Sequence, residues 1–301
     1  MSVRRPIMPA VRPSVPARRS ASARWSLPAL LIVAVAAPCA DLFAAPIQEG
    51  KLINYKVREE QVQAYLVRPQ KAGTYPGVVV IHEWWGLNDQ IKRVADRIAE
   101  EGYIAIAPDL YRGKLGTDAG LAHELMRGLN ENWAVDVVTA AVAQLRGIEV
   151  RERRGAPAAS GQRMAVGTLG FCMGGRISLA TALAGADVQA TVMYYGSVET
   201  SKDALKPLDV PLLGIYGNED RGIPLDQIRA FEAALKEAGK DATVLVYPGV
   251  GHAFFNEERP SYDGEAAKDS WERTKMFFRK NLPPEGATNP PKLHRTNPDL
   301  P

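Results

Sequence analysis

The segment Gly170-Phe-Cys-Met-Gly-Gly175 constrains the fold of this chain more than any other. The apolar run before it, residues 164–169, predicts a short buried strand, and residues 177–186 predict the helix that follows. Glycines two residues before and after Cys172 have the spacing of a nucleophile elbow, in which a strand turns directly into a helix. Because the apex residue has strained backbone geometry, larger flanking side chains would collide with it. The motif therefore predicts that Cys172 lies at the N-terminus of a helix.

Residues 1–45 are predicted to be an export signal. They hold six arginines and one acidic residue, and the apolar run at 27–37 is too short to span a bilayer comfortably. Small residues follow, and we expect cleavage at Ala44-Ala45. Two twin-arginine pairs lack the hydrophobic context of a twin-arginine signal, and an uncleaved anchor is the alternative. We expect a periplasmic or secreted protein that has no stable membrane association after cleavage.

The charge of the remaining chain gives no indication of a surface that binds nucleic acid or an anionic membrane. Without residues 1–45, 31 basic and 33 acidic residues remain, a net charge of −2.

We predict one domain over residues 46–283, followed by a proline-rich disordered tail at 284–301. We also expect a monomer.

Cys172 has two interpretations, a nucleophile or a small buried hydrophobic residue. At a helix N-terminus, backbone N–H groups and the helix dipole favour a thiolate and an oxyanion. Once Cys39 is removed with the signal, Cys172 is the only thiol, so an internal disulfide is impossible. The chain has no C-x-x-C motif to support thioredoxin-like redox chemistry. A single cysteine in an exported protein is explained more simply by chemistry than by packing.

Hydrophobic periodicity predicts an antiparallel hairpin, residues 52–57 and 62–67, followed by alternating strands and helices. Further strands are predicted at 77–82, 103–107, 190–195, 211–216 and 242–247. Further helices are predicted at 91–101, 119–129, 134–147, 225–238 and 266–282. This alternation is typical of an α/β fold with a mostly parallel sheet, helices on both faces and a site at the carboxyl ends of the strands.

Polar residues that follow strands complete a candidate catalytic triad. Asp220 follows the strand 211–216, and His252 follows the strand 242–247. The order Cys172, Asp220, His252 is the chain order of the α/β-hydrolase triad. His252 would accept the thiol proton, and Asp220 would orient the imidazole. Glu219 is the rival acid at this stage.

The chain resembles the dienelactone hydrolases (carboxymethylenebutenolidases), cysteine members of the α/β-hydrolase fold. The resemblance covers almost the whole domain, and its motifs lie at residues 82–88, 107–111, 170–175 and 251–254. It implies hydrolysis of a small ester or lactone through a cysteinyl acyl-enzyme. A non-catalytic binding protein on the same fold and a thiol oxidoreductase are the alternatives.

The resemblance also assigns roles around the nucleophile. Glu83 matches a glutamate that helps to ionise the thiol when substrate binds, and the backbone N–H groups of Trp84 and Met173 match the oxyanion hole. We expect Trp85 and Tyr111 to contact the substrate. In the free enzyme, the thiol would be neutral and turned away from its histidine.

Two positions bear on whether this chain binds the same substrate as the dienelactone-hydrolysing members of the family. Dienelactone-hydrolysing members bind the substrate carboxylate through two arginines. One corresponds to Arg112, and the other lies four residues after the histidine, where this chain has Asn256. Loss of one cationic partner weakens carboxylate recognition by a few kcal/mol. Both residues are predicted substrate contacts, and a broad-specificity carboxylesterase acting on neutral esters is an alternative.

We expect no metal and no organic cofactor. No acidic or His/Cys cluster in the sequence has ligand spacing, and no G-x-G-x-x-G segment follows a predicted strand. His123 lies on a predicted helix, His294 lies in the predicted tail, and His82 ends a strand beside the predicted site.

Overall fold

Residues 45–152 and 163–283 are described by the computed structural model of the chain. The predicted export segment lies outside these residues except for Ala45, and so does the whole of the predicted tail at 284–301. Cys39 and His294 are therefore outside the described part as well.

The strands form one eight-stranded sheet in the order β1-β2-β4-β3-β5-β6-β7-β8. β1 and β2 form an antiparallel hairpin, β2 pairs antiparallel with β4, and every other pair is parallel. This arrangement confirms the predicted fold class. The strands are β1 (Lys51–Val57), β2 (Glu60–Val67), β3 (Gly77–Ile81), β4 (Ile104–Pro108), β5 (Val166–Phe171), β6 (Ala190–Tyr194), β7 (Leu212–Gly217) and β8 (Ala242–Tyr247).

Seven helices lie within the described residues, and none of these is both long and apolar enough to cross a membrane. The short helix α5 has no counterpart among the predicted elements. The helices are α1 (Asp89–Glu100), α2 (Ala119–Gly128), α3 (Glu131–Glu152), α4 (Met173–Leu183), α5 (Lys202–Leu205), α6 (Leu225–Glu237) and α7 (Gly264–Asn281).

The sheet is buried on both faces, because successive residues of its central strands enter two separate hydrophobic clusters. In β3, Val79 and Ile81 belong to the cluster that contains apolar residues of α3, α4 and α6, whereas Val78 and Val80 belong to the cluster that contains those of α1 and α7. All five residues of β3 are buried. A continuous apolar run is what a central parallel strand requires.

The two predicted boundaries that flank the nucleophile differ from the structure. β5 continues through Phe171, two residues beyond the predicted end, and α4 begins at Met173 instead of residue 177. The first turn of α4 contains Gly174 and Gly175, which are poor helix formers, so the pattern gave no helical signal there. The turn from strand to helix is therefore a single residue, Cys172.

Side-chain caps explain why two other helices begin earlier in the chain than predicted. Asn88 Oδ1 accepts a hydrogen bond from Ile91 N (3.2 Å), so α1 begins before the apolar period does. Asn130 Oδ1 accepts one from Trp133 N (3.0 Å) at the start of α3. A cap satisfies backbone donors that the first helical turn leaves free.

Candidate active site

Cys172 is the apex of a nucleophile elbow at the carboxyl end of β5. Its backbone has φ 53° and ψ −118°, a left-handed conformation that is costly for a residue with a side chain. A Cβ on Gly170 would meet the backbone of Gly174, and a Cβ on Gly174 would meet the carbonyl oxygen of Ile81 in β3. The flanking glycines are thus required by the close approach of α4 to two strands, and not by contact with the apex as the sequence analysis assumed.

Hydrogen bonds on both sides hold the apex in this conformation. Cys172 N donates to Tyr194 O (3.0 Å), and Cys172 O accepts from Gly175 N (3.0 Å) and Arg176 N (3.2 Å). Backbone strain at a functional residue persists only when the surrounding structure determines it in this way. The thiol is free and half-buried.

His252 and Asp220 lie together in the loops that follow β8 and β7. His252 Nδ1 is 2.7 Å from Asp220 Oδ2, while Asp220 Oδ1 accepts hydrogen bonds from Gly222 N (2.8 Å) and Ile223 N (3.2 Å). Asp220 is only 3% exposed, whereas Glu219 points to solvent. The geometry therefore brings Asp220, and not its rival, to the imidazole.

The pKa of His252 is raised to about 10. Burial acts in the opposite direction, but hydrogen bonds with Asp220 and Cys172 and the charges of both groups outweigh it. Cys172 and His252 also line the same two cavities. The orientation of the thiol in the free enzyme, turned away from the histidine, stays a prediction.

Glu83 is a buried carboxylate beside the thiol, with only 4% of its surface exposed. Oε1 accepts a hydrogen bond from Tyr195 Oη (3.0 Å), and Oε2 accepts one from Asn256 Nδ2 (2.7 Å). Burial raises the pKa of Glu83, and these two donors and the nearby charges of His252 and Arg259 offset part of that rise. Each oxygen of Glu83 therefore accepts one hydrogen bond from a neutral donor.

His82 ties the ends of β3 and β4 together behind Glu83. Its Nε2 accepts a hydrogen bond from Leu110 N (3.2 Å), so the proton must be on Nδ1, which lies 2.5 Å from Glu83 O. Burial lowers the pKa of His82, which agrees with a neutral ring. His82 thereby positions the backbone of Glu83 and the peptide that leads to Trp84.

Trp84 and Met173 supply the two backbone N–H groups predicted for the oxyanion hole. Met173 is the first residue of α4, where helix N–H groups have no partner inside the helix. Among the described residues, neither N–H donates to another protein group. Both are therefore free to donate to a ligand at the helix N-terminus.

Two cavities flank the thiol, and Cys172, His252 and Met126 line both of them. One has a volume of about 310 Å³, and its other walls include Leu129, Met173, Arg176, Ile177, Tyr195 and Ile223; we call it the α4-side cavity. The other has a volume of about 400 Å³, and its other walls include Glu83, Trp84, Trp85, Arg259 and Pro260; we call it the Trp85-side cavity. A bound molecule could therefore extend from the thiol in two directions.

No group of three or more His, Cys, Asp or Glu side chains that could hold a metal ion occurs within the described ranges.

Comparison with known proteins identifies the family of this chain. The sequence matches the dienelactone hydrolase family over residues 62–282. The chain belongs to that family. It is accordingly a carboxylic ester hydrolase of the α/β-hydrolase superfamily, and its substrates are small esters or lactones.

Similar proteins cover most of the chain. A protein of Methylorubrum extorquens named "Putative carboxymethylenebutenolidase" is 32% identical over 242 residues, covering 76% of this chain and 80% of that protein. Protein usf of Aquifex pyrophilus is 34% identical over 238 residues, covering 77% and 99%. The crystal structure of a "Putative Dienelactone Hydrolase" from Klebsiella pneumoniae has a TM-score of 0.65 at 31% identity, covering 78% and 99%.

Of the four predicted substrate contacts of this dienelactone hydrolase family member, only Trp85 lines a cavity. Arg112 donates to Glu60 Oε2 (2.7 Å) and lies over the ring of Trp133, away from both cavities. The sequence places Arg112 directly after Tyr111, but it could not show that the Arg112 side chain forms an ion pair with Glu60.

The two other predicted contacts are buried against protein groups. Tyr111 Oη donates to Met173 Sδ (3.3 Å), and Asn256, 1% exposed, is hydrogen-bonded to Glu83. Both side chains therefore contact protein groups behind the site, and neither presents a surface to the substrate.

Sequence reasoning missed four residues that the structure brings to the site: Met126, Arg176, Tyr195 and Arg259. Tyr195 comes directly after β6 with φ 35°, and its position after a strand could have revealed it. The other three carry no comparable signal, because an arginine or methionine on a helix or loop is usually a surface or core residue.

Proposed function

We propose that this hydrolase cleaves its ester or lactone by nucleophilic catalysis through Cys172. The observation that carries the proposal is the grouping of Cys172, His252 and Asp220, in which the histidine is 2.7 Å from the buried carboxylate and lines the same two cavities as the thiol. A nucleophile, a base and a group that orients the base are the elements of a triad.

In the first half-reaction, the Cys172 Sγ attacks the carbonyl carbon while His252 holds the thiol proton. The oxyanion would accept hydrogen bonds from the N–H groups of Trp84 and Met173. The bond from carbon to the leaving oxygen then breaks, and His252 gives its proton to that oxygen. The products are an acyl thioester and an alcohol, or a single tethered chain for a lactone.

In the second half-reaction, water replaces the alcohol. His252 accepts a proton from the water as it attacks the thioester, and the same oxyanion donors act again. The C–S bond breaks, and the thiolate and the imidazolium are restored with release of the acid. Asp220 remains ionised throughout, where it orients the ring and stabilises the imidazolium.

Glu83 is proposed to assist without forming a bond to substrate. It lines the Trp85-side cavity beside the thiol, and its raised pKa makes it a better proton acceptor than an ordinary carboxylate. A substrate that enters this cavity would contact the carboxyl group. Glu83 is therefore proposed to respond to substrate entry by a change in its protonation.

The experiment that tests the proposal is a burst and trapping assay with a p-nitrophenyl ester. A rapid release of about one equivalent of p-nitrophenol, with an acyl group on the peptide that contains Cys172 by mass spectrometry, is expected. Cys172→Ala should show neither signal. Ester binding without release of alcohol by wild-type protein would favour a non-catalytic binding protein, and disulfide-linked turnover would favour a thiol oxidoreductase.

The compartment, the domain limits and the oligomeric state are proposed from the sequence. We infer export with cleavage near residue 45, a mature monomer and a tail beyond residue 283. Mass spectrometry of the protein recovered from the periplasm or the medium would identify its N-terminus. Retention of the full-length mass in the membrane fraction would contradict cleavage, and size-exclusion chromatography would measure the oligomeric state.

A further inference from the structure

A third cavity, with a volume of about 460 Å³, is separate from the two beside the thiol. Its walls include Arg97 of α1, Phe255 and Tyr262 of the loop between β8 and α7, and Lys268 and Trp271 of α7; we call it the Arg97 cavity. No residue that lines it also lines the α4-side or the Trp85-side cavity. A molecule bound in it would therefore not occupy the site of the thiol.

The guanidinium of Arg97 lies over two aromatic rings of the cavity wall. Its Cζ is 4.2 Å from the centroid of the Trp271 ring and 5.2 Å from that of the Phe255 ring, and both rings are buried. Stacking on an aromatic face leaves the edge of a guanidinium free for planar hydrogen bonds. The rings thus fix the position of this cation without using its N–H donors.

Arg97 lacks an acceptor for these donors. In the part of the chain that the structure describes, its guanidinium donates no hydrogen bond to a protein group and has no carboxylate within 4 Å. Burial lowers the pKa of Arg97, and the charges of more distant groups such as Glu257 offset only part of that effect. Because a partly buried cation without hydrogen bonds is costly, an anion in the cavity would stabilise it.

The charged residues of the cavity wall favour an anion over a cation as the ligand. The wall contains two acidic and two basic residues. Glu257 accepts hydrogen bonds from Nε and Nη2 of Arg93 at 3.1 and 2.9 Å, and Glu272 forms a 2.7 Å ion pair with Lys275. The two basic residues have no ion-pair partner among the described residues. Two positive charges are therefore available to a bound molecule.

We propose that the Arg97 cavity is a binding site for a phosphate group. Arg97 supplies paired N–H donors, and Lys268 supplies a second positive charge. Lys268 and Trp271 are three residues apart on α7, so they lie on the same face of the helix. A phosphate monoester carries a charge of about −1.5 to −2 at neutral pH, which matches two cations. A single carboxylate would leave one of them unpaired.

Tyr262 separates two sources of the phosphate group. Its side chain is 46% exposed and lines the cavity, so one face of the ring is accessible to a ligand. A phosphate monoester of an aromatic alcohol can stack on that ring, whereas inorganic phosphate gains nothing from it. The two sources share the same anion and differ only in this contact.

Titration calorimetry at about pH 7.5 tests the site with three probes: inorganic phosphate, phenyl phosphate and methyl phenyl phosphate, which has a single negative charge. At least one of the first two should bind wild-type protein with a Kd of about 1 mM or lower. Methyl phenyl phosphate should bind at least about fivefold more weakly than phenyl phosphate. Tighter binding of phenyl phosphate than of inorganic phosphate would support a monoester, and equal binding would support the free ion.

Variants of the cavity wall locate the bound phosphate. Arg97→Gln should weaken binding by about tenfold or more, and Lys268→Gln by about threefold or more. Glu257→Gln removes a negative charge from the wall and should strengthen binding. The matched control is Lys280→Gln, which changes another exposed lysine of α7 that lines none of the three cavities and should leave the Kd unchanged.

Lys268→Gln keeps the test decisive even where Arg97→Gln does not fold, because the Lys268 side chain is exposed. No binding of either phosphate to wild type, equal binding of methyl phenyl phosphate and phenyl phosphate, or wild-type affinity in folded Arg97→Gln or in Lys268→Gln would overturn the inference. Weaker binding to Glu257→Gln would do the same. A loss of binding in Arg176→Gln or Arg259→Gln would place the phosphate beside the thiol and would also overturn it. Since the measurement is of binding, its result does not depend on whether any ester is cleaved.

Discussion

The side-chain amide of Asn256 donates a 2.7 Å hydrogen bond to Oε2 of Glu83. An arginine at this position would add a positive charge next to the buried carboxylate and lower its pKa. Asparagine supplies a neutral donor instead, and Tyr195 supplies a second one on the other oxygen. Burial consequently dominates, and the pKa of Glu83 is raised. The residue at 256 thus regulates the proton affinity of Glu83 instead of holding substrate.

Glu83→Gln should stabilise the protein at neutral pH. Because folding raises the pKa of this carboxyl above its usual value of about 4.5, the folded state binds the proton more tightly than the unfolded state. The free energy of unfolding therefore falls as the pH rises from 4.5 through the raised pKa, and the deficit is complete above it. Glutamine removes the deficit, so we expect the free energy of unfolding to rise, and to rise more at pH 8 than at pH 5.

Thermal or urea unfolding at the two pH values measures this difference, with the exposed Glu237→Gln as the control. Ester turnover by Glu83→Gln should fall much more than substrate binding does. A variant that is less stable than wild type at pH 8 would show that the carboxylate is a net stabilising group.

Asp220→Asn should lower kcat by at least about a hundredfold, because an amide can neither hold the imidazole in its tautomer nor stabilise the imidazolium. The matched control is Glu219→Gln, which changes the neighbouring carboxylate and should retain nearly full activity, since its side chain is exposed. Steady-state kinetics on one ester compares the two variants. A larger loss in Glu219→Gln would reverse the assignment of the acid.

The sequence was sufficient for the features that depend on strand ends. Cys172, Asp220 and His252 each follow a strand of a parallel sheet, and such strands end at one edge, so their proximity follows from the alternating pattern. The glycine spacing around Cys172 predicted the turn, because few other backbones require it. The family resemblance supplied Glu83, which also follows a strand.

Orientation of individual side chains was not predictable in the same way. Arg112 and Asn256 lie where the family pattern suggests substrate contacts, but Glu60 and Glu83 engage them in the fold. These partners are distant in sequence, at separations of 52 and 173 residues. Arg259 was missed for the same reason, since its stacking on Trp85 joins two loops that no local pattern connects.

Cys172→Ala should abolish ester turnover while the domain stays folded. Alanine fits the apex, and its positive φ is a strain that wild-type cysteine already bears. Cys172→Ser should lose most but not all activity, because a hydroxyl needs a stronger base than a thiol does. Circular dichroism and the kcat of each variant provide the comparison. Activity of more than a few per cent in the alanine variant would contradict the nucleophile assignment.

The raised pKa of His252 predicts a pH dependence of stability. His252 has a usual pKa of 6.5, which rises to about 10 in the fold, so it stays protonated through the neutral range. The stabilisation from this raised pKa is fully present below pH 6.5 and is lost as the pH rises through about 10.

Urea unfolding of wild-type protein and His252→Gln between pH 6 and pH 10 measures this contribution. The difference in the free energy of unfolding between the two proteins should be largest at pH 6 and should shrink as the pH rises towards 10. A difference that does not change with pH over this range would contradict the raised pKa of His252.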